Sequence, residues 1–445
     1  MHRGEMPEGE PHLSPAPARS DSPPAHADID GPYARYVLGL LFVVYIFNFL
    51  DRQLLAILLQ PIKDDLKISD TALGFLTGFA FAVFYTFAGL PLARLADRWV
   101  RVSLIAISIA VWSLMTAACG FARGFTDLAL ARIGVGIGEA GATPPAHSLL
   151  SDYFPPEKRA TVLSFYACGV PVGAGLGYWL GGWINDTFGW RWAFFIVGLP
   201  GVLLAWLVHR TIREPVRGMS ERRPVSTRQY SMVEVWRFLT GLPTGRRVSL
   251  GAACIAFSGY GMAAWIPAFF VRIHHMTPGE LGLWMSWITA LGGIIGSLSG
   301  GVLADRWSRR FPQARAYICV ASALLSIPCN AASVLLADPR LALLSFFPAT
   351  ICATLWFGPA TSIVQDLAPP AMRAVASAVF IFILTIIGLG AGPQVVGILN
   401  DWIGTPDAIR SSLLWVTIAT NLGAALFFGL MATSLVQDLE AKTHL

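Results

Sequence analysis

Ala93-Arg94-Leu95-Ala96-Asp97-Arg98-Trp99-Val100-Arg101 and Gly301-Val302-Leu303-Ala304-Asp305-Arg306-Trp307-Ser308-Arg309-Arg310 are two copies of one loop. Asp97, Arg98, Trp99 and Arg101 of the first copy recur as Asp305, Arg306, Trp307 and Arg309 of the second. Each copy follows an even-numbered apolar run. The duplication continues downstream in strict register. Pro145, Asp152, Pro155, Pro156, Arg159 and Ala160 recur 214 residues later as Pro359, Asp366, Pro369, Pro370, Arg373 and Ala374. Gly175, Gly177, Gly182, Asn185 and Asp186 recur 215 residues later as Gly390, Gly392, Gly397, Asn400 and Asp401. A period near half the chain length means two homologous halves. Parallel repeats of this kind are the architecture of rocking transporters.

The runs between these loops belong in lipid. Hydrophobic residues make up 55% of 445 and charged residues only 13%, about half the charge of a soluble domain. Stretches of about 20 apolar residues give twelve candidate spans. They lie near 36–59, 71–95, 102–121, 128–153, 160–184, 192–208, 248–271, 281–304, 314–336, 341–366, 374–399 and 411–435. The predicted fold is an all-α membrane protein of two six-helix bundles, 34–208 and 248–435. A Pro-rich tail (1–33), a basic linker (209–247) and a short tail (436–445) complete the chain.

Charge distribution sets the expected topology. With the amino terminus in the cytoplasm, 23 of the 32 Lys and Arg fall in cytoplasmic loops and tails and 7 in the opposite loops. Arg52 and Arg132 lie within the membrane. That is the positive-inside bias, so both termini are expected in the cytoplasm, and the membrane is the plasma (inner) membrane if the source is bacterial. The net charge of +5 is therefore an orientation signal, and no nucleic-acid partner is expected. The linker carries nine Arg and three Glu, a composition suited to contact with anionic lipid.

Little points to catalysis or to bound groups. The six cysteines stand singly within predicted spans, where small buried hydrophobe is the expected role. His274 and His275 read as a solvated pair. There is no nucleophile elbow, phosphate loop or zinc spacing, so neither a cofactor, a metal nor an enzyme activity is expected.

Four ionisable residues interrupt the apolar runs, all in the first half: Asp51 and Arg52 in span one, Arg132 and Glu139 in span four. A charge in the hydrocarbon region costs at least ~2.5–3.5 kcal/mol, so it is rare without a task. Tyr45, Asn48, Asp51 and Arg52 cover an arc of about 120° on span one. Arg132, Glu139 and Thr143 fall within about 40° on span four and form one polar line. Opposed span directions place Asp51 and Arg132 at similar depth, with Glu139 nearer the midplane and level with Asn48. This set is the candidate substrate and proton site. The alternative is an ion-pair network that only ties two helices together. Asp97, Arg98, Arg101, Asp305, Arg306 and Arg309 are the candidate cytoplasmic gate, a carboxylate at a helix end pairing with Arg in one conformation and releasing it in the other.

The paired loops resemble the signature loop of the major facilitator superfamily. The second copy keeps the leading Gly as Gly301, whereas Ala93, Val100 and Ser308 replace glycines of the pattern. Tyr45-Ile46-Phe47-Asn48-Phe49-Leu50-Asp51-Arg52, Gly136-Ile137-Gly138-Glu139-Ala140 with Pro144-Pro145, and Ser151-Asp152-Tyr153-Phe154-Pro155 resemble the Spinster branch. The resemblance implies a secondary transporter of lysophospholipids or sphingoid phosphates, with proton coupling. A carboxylate whose Arg partner leaves during rocking changes its proton affinity between states, which suits Asp51 and Glu139 to that role. Both signs of charge in one half and an apolar wall with Trp284, Trp287, Phe357 and Phe380 in the other suit an amphiphile. A proton-linked carrier of small organic anions or drugs is the alternative, reusing the same Arg residues. A monomer suffices for either.

Overall fold

The computed structural model describes residues 29–217, 219, 230–311, 313–369 and 372–442. The predicted tail up to residue 28 lies outside them. All regular structure among the described residues is helical. In the first half the spans are α1 (Pro32–Leu66), α2 and α3 (Asp70–Thr77 and Phe79–Arg98), and α4 (Arg101–Cys119). They continue with α5 and α6 (Phe125–Ala140 and Thr143–Tyr153), α7 and α8 (Pro156–Ala167 and Gly169–Phe188), and α9 (Trp190–Thr211). Helix α10 (Met232–Gly241) lies in the connection. The second half begins with α11 (Pro243–His274), α12 (Pro278–Ser308) and α13 (Ala314–Leu335). It ends with α14 and α15 (Pro339–Leu355 and Phe357–Leu367), α16 (Arg373–Ile383), α17 (Gly392–Ile403) and α18 (Ala408–Lys442). A π-helical stretch, Leu384–Ala391, joins α16 to α17.

Eleven of these stretches are long and apolar enough to cross a membrane. The twelfth span is divided between α5 and α6. Pro144 and Pro145 open α6, and proline cannot supply the amide that would continue the helix from α5. The break falls directly after Glu139.

Two expected boundaries need correction. Within the linker, Ser231 and Glu234 form a reciprocal capping box that starts α10, whose Val235 and Leu239 are buried in the core of the second half. The second bundle starts at Pro243, not at 248, because that proline seeds α11 as a first-turn residue. At the other end α18 carries on through Lys442, so most of the expected carboxy-terminal tail is helix.

The core shows how the halves meet. At the end of the bundle bearing the linker, hereafter the linker side, each half has its own buried cluster. One contains Leu41, Val102, Leu149 and Tyr153, the other Val248, Ala316, Ile363 and Phe428. At the opposite end, the far side, one cluster joins both halves: Leu54, Ile57 and Tyr178 pack with Trp265, Phe269, Leu281 and Met285. Among the described residues, the buried cluster shared by both halves lies on the far side. Phe87 and Phe382, with ring centroids 6.3 Å apart, form a cross-half contact farther toward the linker side. On the outside, Leu130, Leu203, Leu298, Leu325 and Trp402 are exposed, a surface that only lipid would cover.

Glycines allow spans one and five to touch. A Cβ on Gly177 would lie 2.7 Å from the Leu50 carbonyl oxygen and 2.9 Å from the Gln53 Cβ. Gly177→Val is expected to destabilise the protein by about 1–3 kcal/mol through overpacking. Thermal unfolding in detergent micelles measures this; an unchanged midpoint would show that α1 and α8 can part freely there.

Candidate functional site

Span one carries its polar face into the first half, as its periodicity requires. Arg52 Nε donates to Glu139 Oε2 at 2.6 Å, joining α1 to α5 just before the break in span four. Glu139 is completely buried, whereas the Arg52 side chain keeps 19% of its surface exposed. Its guanidinium lies among three rings, 4.8 Å from Phe49, 4.7 Å from Phe81 and 4.9 Å from Tyr85. Such stacking suits the flat, weakly hydrated guanidinium. Phe81 also faces Arg132, at 5.5 Å.

Asp51 points away from that pair. It is buried, and the Thr116 hydroxyl of α4 donates to its Oδ2 at 3.1 Å. Asn48, also buried, stands beside Glu139. Asp51 Oδ1 and Glu139 Oε1 accept no hydrogen bond among the described residues. Two buried carboxylates thus each keep one free oxygen, which is the arrangement a proton acceptor needs.

Several expected neighbours are arranged differently. Arg132 makes no ion pair among the described residues, although depth alone matched it with Asp51. Tyr45 turns toward span five, stacked on Tyr166 with centroids 4.3 Å apart. Thr143 does not extend the polar line of Arg132 and Glu139. Gly141 and Ala142 break the helix, so the 100° spacing no longer applies across them. From the second half, Tyr260 of α11 is 43% exposed and faces Arg52 and Tyr85 across the division. Thr116, Tyr85 and Tyr260 were not singled out from sequence, because one polar aromatic or hydroxyl on an apolar helix carries no signal. Of the expected aromatic wall, Phe357 and Trp287 are exposed but Phe380 is buried within the second half, and Trp284 packs against the far-side core.

The candidate gate divides in two. The side chain of Asp97 lies outside the described residues. Arg98, Asp305, Arg306 and Arg309 are exposed on the linker side, and among the described residues none bonds across the halves. Arg101 is not a cross-half residue. It is 1% exposed and enclosed by the first half: Nη1 donates to Asp152 (2.6 Å) and Ser148 (2.7 Å), Nε to Glu214 (2.7 Å), and Nη2 to the Pro215 carbonyl (3.2 Å). Its counterpart in the second half is Arg315, which pairs with Asp366; both partners sit 214 residues beyond Arg101 and Asp152. Arg309 is therefore not the equivalent of Arg101. Loop length explains this: Arg315 comes ten residues after Asp305, Arg101 only four after Asp97.

A second buried charge cluster, unmarked by the sequence reading, closes the far side. Asp70, 2% exposed, accepts from Lys63 (2.5 Å) of its own half. It also accepts from Arg272 (2.5 and 2.8 Å) and Asn400 (3.0 Å) of the other.

The profile of the Major Facilitator Superfamily matches residues 41–393. A Mycolicibacterium smegmatis protein named MFS-type efflux pump is 33% identical over 420 residues, 93% of this chain and 96% of that protein. Protein spinster homolog 1 of Xenopus tropicalis is 29% identical over 388 residues, 82% of this chain and 73% of that protein. A solved bacterial homologue of the human lysosomal transporter Spinster, inward-facing and unoccupied, superposes with a TM-score of 0.83. It has 30% identity and covers 92% of this chain and 98% of its own. The duplicated halves, the broken fourth span and these matches agree: the chain is a multi-pass transporter, not an enzyme, and it belongs to the Major Facilitator Superfamily, where it resembles the Spinster branch.

Proposed function

We propose that this protein moves an amphiphilic, lipid-like substrate of the lysophospholipid or sphingoid phosphate class by alternating access, coupled to protons through Asp51 and Glu139. The observation that carries the reading is the asymmetry around Arg52. A partly exposed guanidinium, anchored on Glu139 and flanked by rings, faces a second half that offers Tyr260 and apolar side chains. A phosphate or zwitterionic head group fits the guanidinium, whose planar donors suit such oxygens. An acyl tail fits the apolar side. Protons and the substrate are the only partners invoked, and a monomer suffices. Both termini lie in the cytoplasm, the membrane being the inner membrane if the cell is bacterial, and the opening between the halves then faces the cytoplasm.

The relative named as an efflux pump favours a second reading, a proton-linked carrier of drugs or small organic anions. Tail length separates the two. Flux and competition are measured in proteoliposomes with lysophospholipids of decreasing acyl length. Each buried methylene removed is expected to weaken binding by about 0.8 kcal/mol, or fourfold. Affinity indifferent to acyl length, together with rapid transport of short-chain carboxylates, would overturn the lipid reading.

A further inference from the structure

The repeated pair Asn185-Asp186 and Asn400-Asp401 has no part in the site around Arg52, yet its geometry is as well defined. Asp186 ends span five and Asp401 ends span eleven, both on the far side, and each meets the first turn of a helix in the opposite half. Asp186 Oδ2 accepts from the Gly279 amide at the start of α12 (2.8 Å). Asp401 accepts from the Asp70 and Thr71 amides at the start of α2 (3.1 and 2.7 Å). Thr71 and Gly279 are related by 208 residues, the offset that relates Asp97 to Asp305. The close approach is duplicated too. A Cβ on Gly182 would run into the Pro278 carbonyl, and a Cβ on Gly397, its repeat, into the Asp70 carbonyl.

Backbone satisfaction explains the arrangement. Ser69 caps α2 by accepting from the Ala72 amide, and Thr277 caps α12 by accepting from Glu280. Those caps leave the first two amides of each helix without an acceptor of their own. At α2 both exist, and Asp401 takes both. At α12 the first residue is Pro278, which has no N–H, so Asp186 takes the one that remains. In each case a carboxylate also meets the positive end of a helix.

We infer that Asp186 and Asp401 are a two-fold-related pair of latches, positioning residues of the transport cycle that hold the far-side ends of the halves together. Among the described residues, every bond they accept from a backbone amide spans the halves, so both sets must break when the far side opens. The latch on α2 is reinforced by the Asp70–Arg272 and Asp70–Asn400 bonds. The one on α12 has no such support among the described residues, since Asn185 donates to Asp186 itself. The inference needs alternating access but no particular substrate.

Hydrogen exchange of the intact protein in lipid nanodiscs, followed by mass spectrometry, tests it. Loss of a capping acceptor is expected to raise the far-side-open population about fivefold for Asp186→Ala or Asp401→Ala, and about 25-fold in the double variant. Amides of 69–76 and 277–284 then exchange faster, and those of 93–101 and 301–310 exchange more slowly as the linker side closes. Asp338→Ala is the control. Asp338 caps α14 with bonds to Arg340 and Leu341 inside one half, so its loss frays α14 and leaves the linker side unchanged. Faster exchange at 69–76 and 277–284 with no slowing at 93–101 and 301–310 would reduce the pair to local helix caps and overturn the proposal. Unaltered exchange at both ends would overturn it equally.

Discussion

Arg101→Ala is expected to destabilise the folded protein by about 3–5 kcal/mol, the cost of removing one partner of the buried Arg101–Asp152 pair. Arg101 is 1% exposed, and its guanidinium is shared among Asp152, Glu214, Ser148 and the Pro215 carbonyl. Those groups come from the end of span four and from the segment after span six, so one side chain ties three parts of the first half. Arg315→Ala, the repeat-related change, is expected to cost less than about 1 kcal/mol. Arg315 is 24% and Asp366 44% exposed, so water replaces the lost partner. Thermal unfolding of both variants in micelles compares them directly. Equal losses would contradict the argument that burial, not the motif, decides the contribution of the arginine.

Glu139→Gln and Asp51→Asn are each expected to bring pH-driven uptake down to the rate measured with no gradient, while folding and downhill exchange persist. The reason is the free carboxylate oxygen that each keeps in a buried setting. Gln or Asn fills the same space and keeps one oxygen as an acceptor for Arg52 or Thr116, but cannot take up a proton at that oxygen. The two sites report on different contacts: Glu139 is bonded to Arg52, which reaches the division between the halves, and Asp51 to Thr116 inside the first half. Flux in proteoliposomes with and without an imposed pH gradient is the measurement. Wild-type gradient dependence in both variants would rule out these carboxylates as the coupling groups.

Much of the fold was legible in one dimension. Hydropathy marked all twelve spans, including the fourth, which the structure divides, because membrane insertion demands long apolar runs wherever the chain then bends. The repeat in Asp152 and Asp366, and in Asp186 and Asp401, showed the two halves before any contact was known. The intramembrane charges were legible as well, since Asp51, Arg52, Arg132 and Glu139 each carry a cost that apolar surroundings make conspicuous.

Pairing was not legible. Helical spacing put Arg132 and Thr143 on one line with Glu139, but it assumes an unbroken helix, and the turn at Gly141 ends that assumption. Depth matched Asp51 with Arg132, whereas rotation about the helix axes, set by the packing of α1, α4 and α5, gave Glu139 to Arg52 and Thr116 to Asp51. Motif likeness matched Arg309 with Arg101, whereas the longer loop handed that place to Arg315. Asp70 escaped notice because a carboxylate at the mouth of a span is ordinary until Lys63, Arg272 and Asn400 close around it. The sequence by itself determined the membrane class, the duplication and which charges interrupt the apolar spans, because hydrophobic period and repeat register are local properties of a chain. Only the tertiary structure decided which charge meets which, and on which side the halves close, because those depend on the relative rotation and tilt of helices distant in sequence.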